Sequence, residues 1–597
     1  MKKKIYKFKR IGLMGLMGLI GLTQTGCSDF LEIEPLNEII LEKFWTEKAD
    51  VEGIIAGCYS GMQDEGVVKR MMIWGEFRSE NVSVGQNIDR DGDLEKILKE
   101  NINAKNGYTK WDGFYSIINR CNTVLKYAPA VAAEDPAYTQ SELSAHIAEV
   151  TALRSLCYFY LIRAFRDVPY TTEAYTDDDM KMDLPATPFY AVLDSLINSL
   201  ESVKSMAVRR YPVTEPLYQT GRITQDAIYA MLCEMYLWKK DYQNCIKYAD
   251  LVIASKKEIA EINRNSSNTG RIIGGVANTN TTEERFNGYP LISGSSTTNY
   301  FGDEYEILFG DDDYAEMYNQ EIIFQLIFDD NPYANSMKAN GAVNTFYGNA
   351  TSRVGLVAPS DFILDDIAKT SGRNVFADRN KKMDARMYEA CDVDRKAVNK
   401  FVTRVVQINA TSTTNPVIGY GSAYTEGQNG SNWIIYRLTD IMLMKAEALV
   451  QTMREGAEAA DIEYNKPIID QAFSLVNAVN KRSVAETQLT DTLMRTDYAT
   501  KNQIEELVYQ ERQRELMFEG KRWFDLVRIC QRTGSTQPLV SAAMLKVTTG
   551  GSLISNKLQK MDAIYWPYDY EELKVNLNLV QNPAFDSGEN SSYEKNY

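Results

Sequence analysis

Residues 224–255, TQDAIYAMLCEMYLWKKDYQNCIKYADLVIAS, constrain the fold of this chain more than any other stretch. Thr224 is a helix N-cap residue, and Ala227, Met231, Met235 and Trp238 fall on one helical stripe. A short KKDY turn follows, and Ile246, Ala249 and Val252 repeat the stripe on a second helix. Two helices joined by so tight a turn must pack antiparallel, and neither can bury its apolar face alone. The small–large alternation resembles a tetratricopeptide unit. Two further pairs are predicted, 140–166 with 188–206 and 434–452 with 466–482, and amphipathic periodicity also covers 45–62, 110–128 and 501–519. The expected fold is mainly α: tetratricopeptide-like helical pairs, irregularly spaced, carrying long irregular loops and minor β-hairpins.

The loops are 263–301, 331–360 and 408–432, all rich in Gly, Ser, Asn and Thr. Loops of this length inside a compact domain are functional or disordered. Their aromatic content speaks for function: Phe286, Tyr289, Tyr300, Phe301, Phe346, Tyr347, Tyr420 and Tyr424. A sugar ring presents an apolar C–H face and a rim of hydroxyls, which flat aromatic side chains among Asn, Asp or Arg would receive. Packing that merely pins each loop to the helices is the alternative for each of these rings. Strands are predicted at 321–328 and 399–408.

The amino terminus predicts an extracytoplasmic protein. Lys2, Lys3, Lys4, Lys7, Lys9 and Arg10 precede an apolar run from Ile11 to Leu22, too short to span a bilayer. Thr25-Gly26-Cys27 then resembles a bacterial lipobox, with Gln24 where Leu is usual; Cys27 is the expected lipidation site. Two or more acyl chains anchor a protein stably where one does not. The six positive charges of the first 26 residues account for much of the balance, so removing them takes the net charge from −16 to −22. Such a surface repels phosphate backbones, and nucleic acid is excluded as a partner.

One histidine, His146, is present in the whole chain, which removes imidazole-dependent triads and most zinc sites. Seven widely spaced cysteines follow Cys27, with no CxxC pair, so no disulfide scaffold is indicated. No cofactor or metal is expected. The segment 87–98, NIDRDGDLEKIL, mimics a calcium loop through Asn87, Asp89, Asp91 and Gly92, but Leu98 stands where a bidentate Glu is needed. In 506–528 Glu511 and Glu515 share a helix face, as a catalytic carboxylate pair would. Arg512, Arg514 and Arg522 lie close enough to neutralise them, and an ion-pair network of Glu511, Arg514, Glu515 and Arg522 is the expected role.

Taken in order, several segments resemble the SusD/RagB family of surface lipoproteins. They are CSDFLEIEP (27–35), WDGFYSIINRCNTVL (111–125), EVTALRSLCYFYLIRAFRDVPY (149–170), YRLTDIMLMKAEAL (436–449), ERQRELMFEGKRWFDLVR (511–528) and LNLVQNPAF (577–585). Arg166-Asp167 departs from the family's Gly-containing turn, and Trp566-Pro567-Tyr568 from its commoner Pro-Ile-Pro. The resemblance implies a signal peptide over 1–26, an N-terminal helical region over 27–260, a loop-rich insertion over 261–360 and a C-terminal region over 361–597 completing one compact unit. It implies about four tetratricopeptide-like pairs whose long irregular loops and minor β-hairpins form a ligand face, and a non-enzymatic receptor, lipid-anchored at the outer membrane and exposed at the cell surface. That receptor would pass an oligosaccharide to a SusC-like TonB-dependent transporter. GEFRSENV (75–82) resembles a pocket-lining segment of the family and nominates Arg78, Glu80 and Asn81 as ligand-binding residues; the loop aromatics add Tyr289, Tyr300, Phe301 and Tyr347. A peptide receptor on the same scaffold and a secreted hydrolase using Glu511 and Glu515 stay open as alternatives.

Overall fold

The computed structural model describes residues 44–177, 180–212, 214–266, 286–292, 300–310, 320–332, 337–364, 375–376, 384–409, 417–456, 458–484, 493–546 and 551–586. The chain divides into Met1–Trp45 and Thr46–Tyr597, and the second unit carries the architecture. Its stack is built from α1 (Lys48–Met62), α2 (Asp112–Glu134), α3 (Gln140–Phe165), α4 (Phe189–Val203), α5 (Gln225–Lys239), α6 (Tyr242–Ser266), α7 (Leu438–Gln451), α8 (Ala459–Ser483), α9 (Lys501–Leu516) and α10 (Arg522–Thr533). A short α11 (Tyr570–Val575) lies near the carboxyl end. Successive helices pack on one another, α1 on α2, α2 on α3, α3 on α4, α5 on α6, α6 on α7 and α7 on α8, with α9 against both α7 and α8. This is the tetratricopeptide-like arrangement that the periodicity predicts.

Local chemistry sets the helix ends. The Thr224 hydroxyl accepts from the Ala227 amide to start α5, and Lys240 in the left-handed region stops it. Thr139 and Glu142 form a reciprocal capping box at the start of α3. From Ala148 to Phe165 every residue of α3 is buried, as is Leu438–Val450 in α7. Helices buried on all sides belong at the centre of a fold, and these two are its inner members, their buried charges such as Arg163 and Asp440 held in ion pairs. Among the described residues no helix is long and apolar enough to cross a membrane.

Strands supplement the stack: β1 (Val82–Val84), β2 (Tyr300–Phe301), β3 (Ile322–Leu326), β4 (Val357–Pro359), β5 (Val406–Asn409), β6 (Val417–Tyr420) and β7 (Trp433–Arg437). β5 pairs with β6 on one side and β2 on the other, and β1 pairs with β4, all antiparallel. The 321–328 strand forms, but as half of no local hairpin: β3 pairs antiparallel with β7, more than a hundred residues away in sequence. The first residues of the expected helix 434–452 are therefore strand, and α7 starts at Leu438. The predicted 501–519 helix likewise ends at Leu516, because Phe518 and Gly520 take positive φ values of 65° and 72°.

Candidate functional site

Arg78, Glu80 and Asn81 are enclosed by protein. They follow a short π-helical turn, Ile73–Phe77, and all three are buried. The Arg78 guanidinium donates to Glu100 (2.9 Å) and to the carbonyls of Ala563 and Ile564, and lies over the Trp523 ring. Glu80 accepts from Arg522 Nη2 at 2.6 Å and from Gln513, which also donates to Asn81. Tyr347 is buried too, with its hydroxyl donating to the Phe518 carbonyl at 3.1 Å, so it pins its loop to the segment after α9. The sequence could not reveal this, since Phe518 lies 171 residues from Tyr347 and Gln513 lies 432 from Asn81. Tyr289 is half-buried with Lys257 over its ring. The side chains of Tyr300 and Phe301 lie outside the described residues.

Glu511 and Glu515 are sealed inside the protein. Glu511 pairs with Arg386 (2.7 Å) and Arg514 (2.9 Å). Glu515 receives Arg437 (2.6 Å), Arg482 and Arg386. Glu519 closes the network on Arg437 and Lys400, and Arg482 also holds Glu321. Burial alone would push the Glu515 carboxyl up, but three guanidiniums outweigh it and hold it well below the usual carboxylate range. Fixed, ionised and without access, the pair cannot exchange protons with a substrate. The calcium-like segment is also spoken for. Asp91 accepts from the Leu94 amide as a helix cap and from the Tyr108 hydroxyl. Among the described residues no group of three His, Cys, Asp or Glu is placed to hold a metal. His146 is buried against the Tyr138 hydroxyl at 2.9 Å.

A cleft of about 500 Å³ opens elsewhere, between the start of α2, the segments 169–175 and 182–184, and α11. Trp111, Tyr115 and Asn119 recur every four residues and so project from one face of α2 into it. Asn119 fixes the opposite wall through two bonds to the Tyr175 backbone, its amide donating to the carbonyl (2.9 Å) and its oxygen accepting from the N–H (2.8 Å). Asn122 donates to the Glu173 carbonyl, and the Tyr115 hydroxyl to the Pro169 carbonyl. On the third side Asn576 donates to the Leu184 carbonyl, which ties α11 to the same wall. The Trp111 indole N–H acts on the Glu572 carboxylate and favours its ionised form. Burial, then the neighbouring Asp569 and Asp112, raise Glu572 above the ordinary 4.5. The result is a recess with aromatic walls and an acidic rim of Asp112, Asp183 and Glu572. None of these positions was singled out as ligand-binding from the sequence, although the 111–115–119 spacing carries the signal.

Fold and recess together define a helical-repeat protein with a ligand-sized cleft held between distant segments. The chain belongs to the SusD/RagB family. A family model described as "SusD family" matches residues 320–585, and one described as "Starch-binding associating with outer membrane" matches 29–237. SusD-like protein P38 of Formosa agariphila is 24% identical over 593 residues, 97% of this chain and 100% of the relative. SusD-like protein P2 of the same organism is 23% identical, covering 85% of this chain and 88% of the relative. Among solved structures, a SusD superfamily protein from Bacteroides vulgatus superposes with a TM-score of 0.60 at 16% identity, over 91% of this chain and 100% of that one. Surface glycan-binding protein A from Bacteroides thetaiotaomicron, solved with laminarihexaose, gives 0.54 at 16% identity, over 90% and 100%. At those identities the likeness is one of fold.

Proposed function

We propose that this protein is a non-enzymatic glycan receptor, anchored at the outer membrane through lipidated Cys27, that hands its ligand to a SusC-like TonB-dependent transporter. The cleft carries the reading. Tyr175 and Tyr115, both partly exposed, offer apolar ring surface at its walls, and carboxylates at the rim can accept hydroxyl hydrogen bonds, the combination that sugar recognition needs. Membership of a family whose models carry starch-binding and outer-membrane descriptions supports it, as does the laminarihexaose complex of a relative of the same fold. Release matters as much as capture for a protein that passes its ligand on, so modest affinity with fast dissociation suits the role.

Calorimetry of the purified mature protein against oligosaccharides and short peptides tests the proposal. Saturable heat with one glycan class, lost in Tyr175→Ala, is expected. Heat with peptides alone, or glycan binding untouched by Tyr175→Ala, would overturn it.

A further inference from the structure

We infer that the cleft between α2 and α11 is selective by charge, admitting donor-rich, non-anionic glycans and turning away uronate- and sulfate-bearing ones; this rests on the glycan-receptor reading. The argument is one of unspent hydrogen-bonding capacity. The donors that face the recess are largely committed: the Trp111 indole to Glu572, the Tyr115 hydroxyl to Pro169, the Tyr175 hydroxyl to Lys181 and the Asn119 amide to Tyr175. Apart from the Thr171 hydroxyl, what remains on the rim is carboxylate oxygen, which accepts and cannot donate. Asp112 is exposed, whereas Glu572 is half-buried beside Trp111 with Asp569 behind it. Among the described residues no Lys or Arg lines the cleft. Lys181 touches Asp183 at 3.8 Å and Lys110 acts on Glu572, each from outside the lining. Recognition of a carboxylate or sulfate calls for guanidinium or ammonium donors, preferably in a fork. A ligand rich in hydroxyls or amines brings donors to this rim, whereas an anionic one meets like charge that Lys181 and Lys110 offset only from outside a partly desolvated recess.

The charge of the recess can be measured without knowing the ligand. Met182 lines the cleft and is 59% exposed, and the seven described cysteines are all buried, so Met182→Cys places one accessible thiol at the site. Its modification by a cationic and an anionic methanethiosulfonate reagent is timed, each rate divided by that for a free small thiol. The cationic reagent should react faster by on the order of tenfold. That preference should shrink when Asp112→Asn and Glu572→Gln are added. Equal rates, or a faster anionic reagent, would sink the inference even if glycans bind. A parallel titration compares laminarihexaose, a glucosamine oligomer and an oligogalacturonate. Tight oligogalacturonate binding lost in Tyr175→Ala would overturn the charge selectivity while leaving the receptor intact. Normal charge preference with no cleft-dependent glycan binding would overturn the receptor reading instead.

Discussion

Arg437 at the end of β7 donates through Nη1 to Oε1 of Glu515 on α9 at 2.6 Å, and neither side chain exposes any surface. The same guanidinium reaches Glu519 and the Glu515 carbonyl. One arginine thus joins the strand that enters α7 to the helix packed on it, and its charge is met on several sides. Removing one member of a buried pair leaves the other charge unsolvated, which costs far more than the pair's net worth. Glu515→Gln keeps the volume and drops the charge while Arg437, Arg482 and Arg386 remain. It should lower stability by about 3–5 kcal/mol, read as a clear fall in the calorimetric melting temperature. A hydrolase using Glu515 would keep its melting temperature and lose turnover instead.

Acid should undo the same region. Burial would raise Glu511, Glu515, Glu519 and Asp525, yet Arg386, Arg437, Arg512 and their neighbours overcome it and depress all four. A carboxyl whose folded pKa is depressed stabilises the fold above its unfolded value, and that stability is lost as pH falls toward the folded pKa. Glu76, raised by burial, acts in the opposite sense and favours the fold at low pH. Asp226 and Glu572 are raised likewise, but Asp440, Glu142 and Glu201 join the depressed carboxyls, which outnumber the raised ones. Melting temperature should therefore drop between about pH 5 and pH 3, and the drop should be smaller in a variant already carrying Glu515→Gln. An unchanged melting temperature across that range would contradict the network's role.

Arg78 offers a direct contrast between a buried strut and a ligand contact. It bridges Glu100, the backbone at 563–564 and the Trp523 ring. Arg78→Ala should cost about 3–5 kcal/mol, since Glu100 would be left buried and unpaired. At temperatures where the variant stays folded, glycan affinity should be close to that of the parent. Loss of affinity with an unchanged melting temperature would return Arg78 to the binding site.

Asn119 should behave in the reverse way. Its two bonds hold Tyr175, and so the wall of the cleft, against α2. Asn119→Ala frees that wall at a cost of about 1–2 kcal/mol. Binding should weaken several-fold while far-ultraviolet circular dichroism is preserved, and Asn119→Asp should recover only part of it, because it accepts from the Tyr175 amide but has no amide to donate.

These cases mark how far the sequence could be read. The α5–α6 pair was legible because stripe, cap and turn all lie within 32 consecutive residues, 224–255, and need no distant partner. The 433–437 strand was not, since an apolar run that short fits strand or helix equally and only β3 decides it. Arg78, Glu80 and Asn81 look like a binding motif along the chain, but Arg522 and Gln513, more than 430 residues on, absorb Glu80 and Asn81. Of the cleft, the α2 face was visible in the 111–115–119 spacing. Its other walls, Tyr175 and Glu572, come from segments whose approach no local pattern encodes.

Gly75 provides the sharpest test of how the π-helical turn is seated. A Cβ at Gly75 would run into the carbonyl carbon and oxygen of Gly520, and Gly520 itself needs a positive φ of 72°. That close approach lets the next residue, Glu76, accept from the backbone N–H groups of Phe518, Lys521 and Arg522, which start α10. Gly75→Ala must push the two segments apart, so it costs the overpacking strain of about 1–3 kcal/mol and weakens three hydrogen bonds to a buried carboxylate as well. Gly520→Ala meets the Met71 carbonyl and Trp433 only at 3.1 Å, so its main cost is the left-handed backbone, about 1 kcal/mol. Gly75→Ala should therefore lower the melting temperature more than Gly520→Ala does. The reverse order would mean that backbone conformation, and not the contact between the two segments, governs this junction.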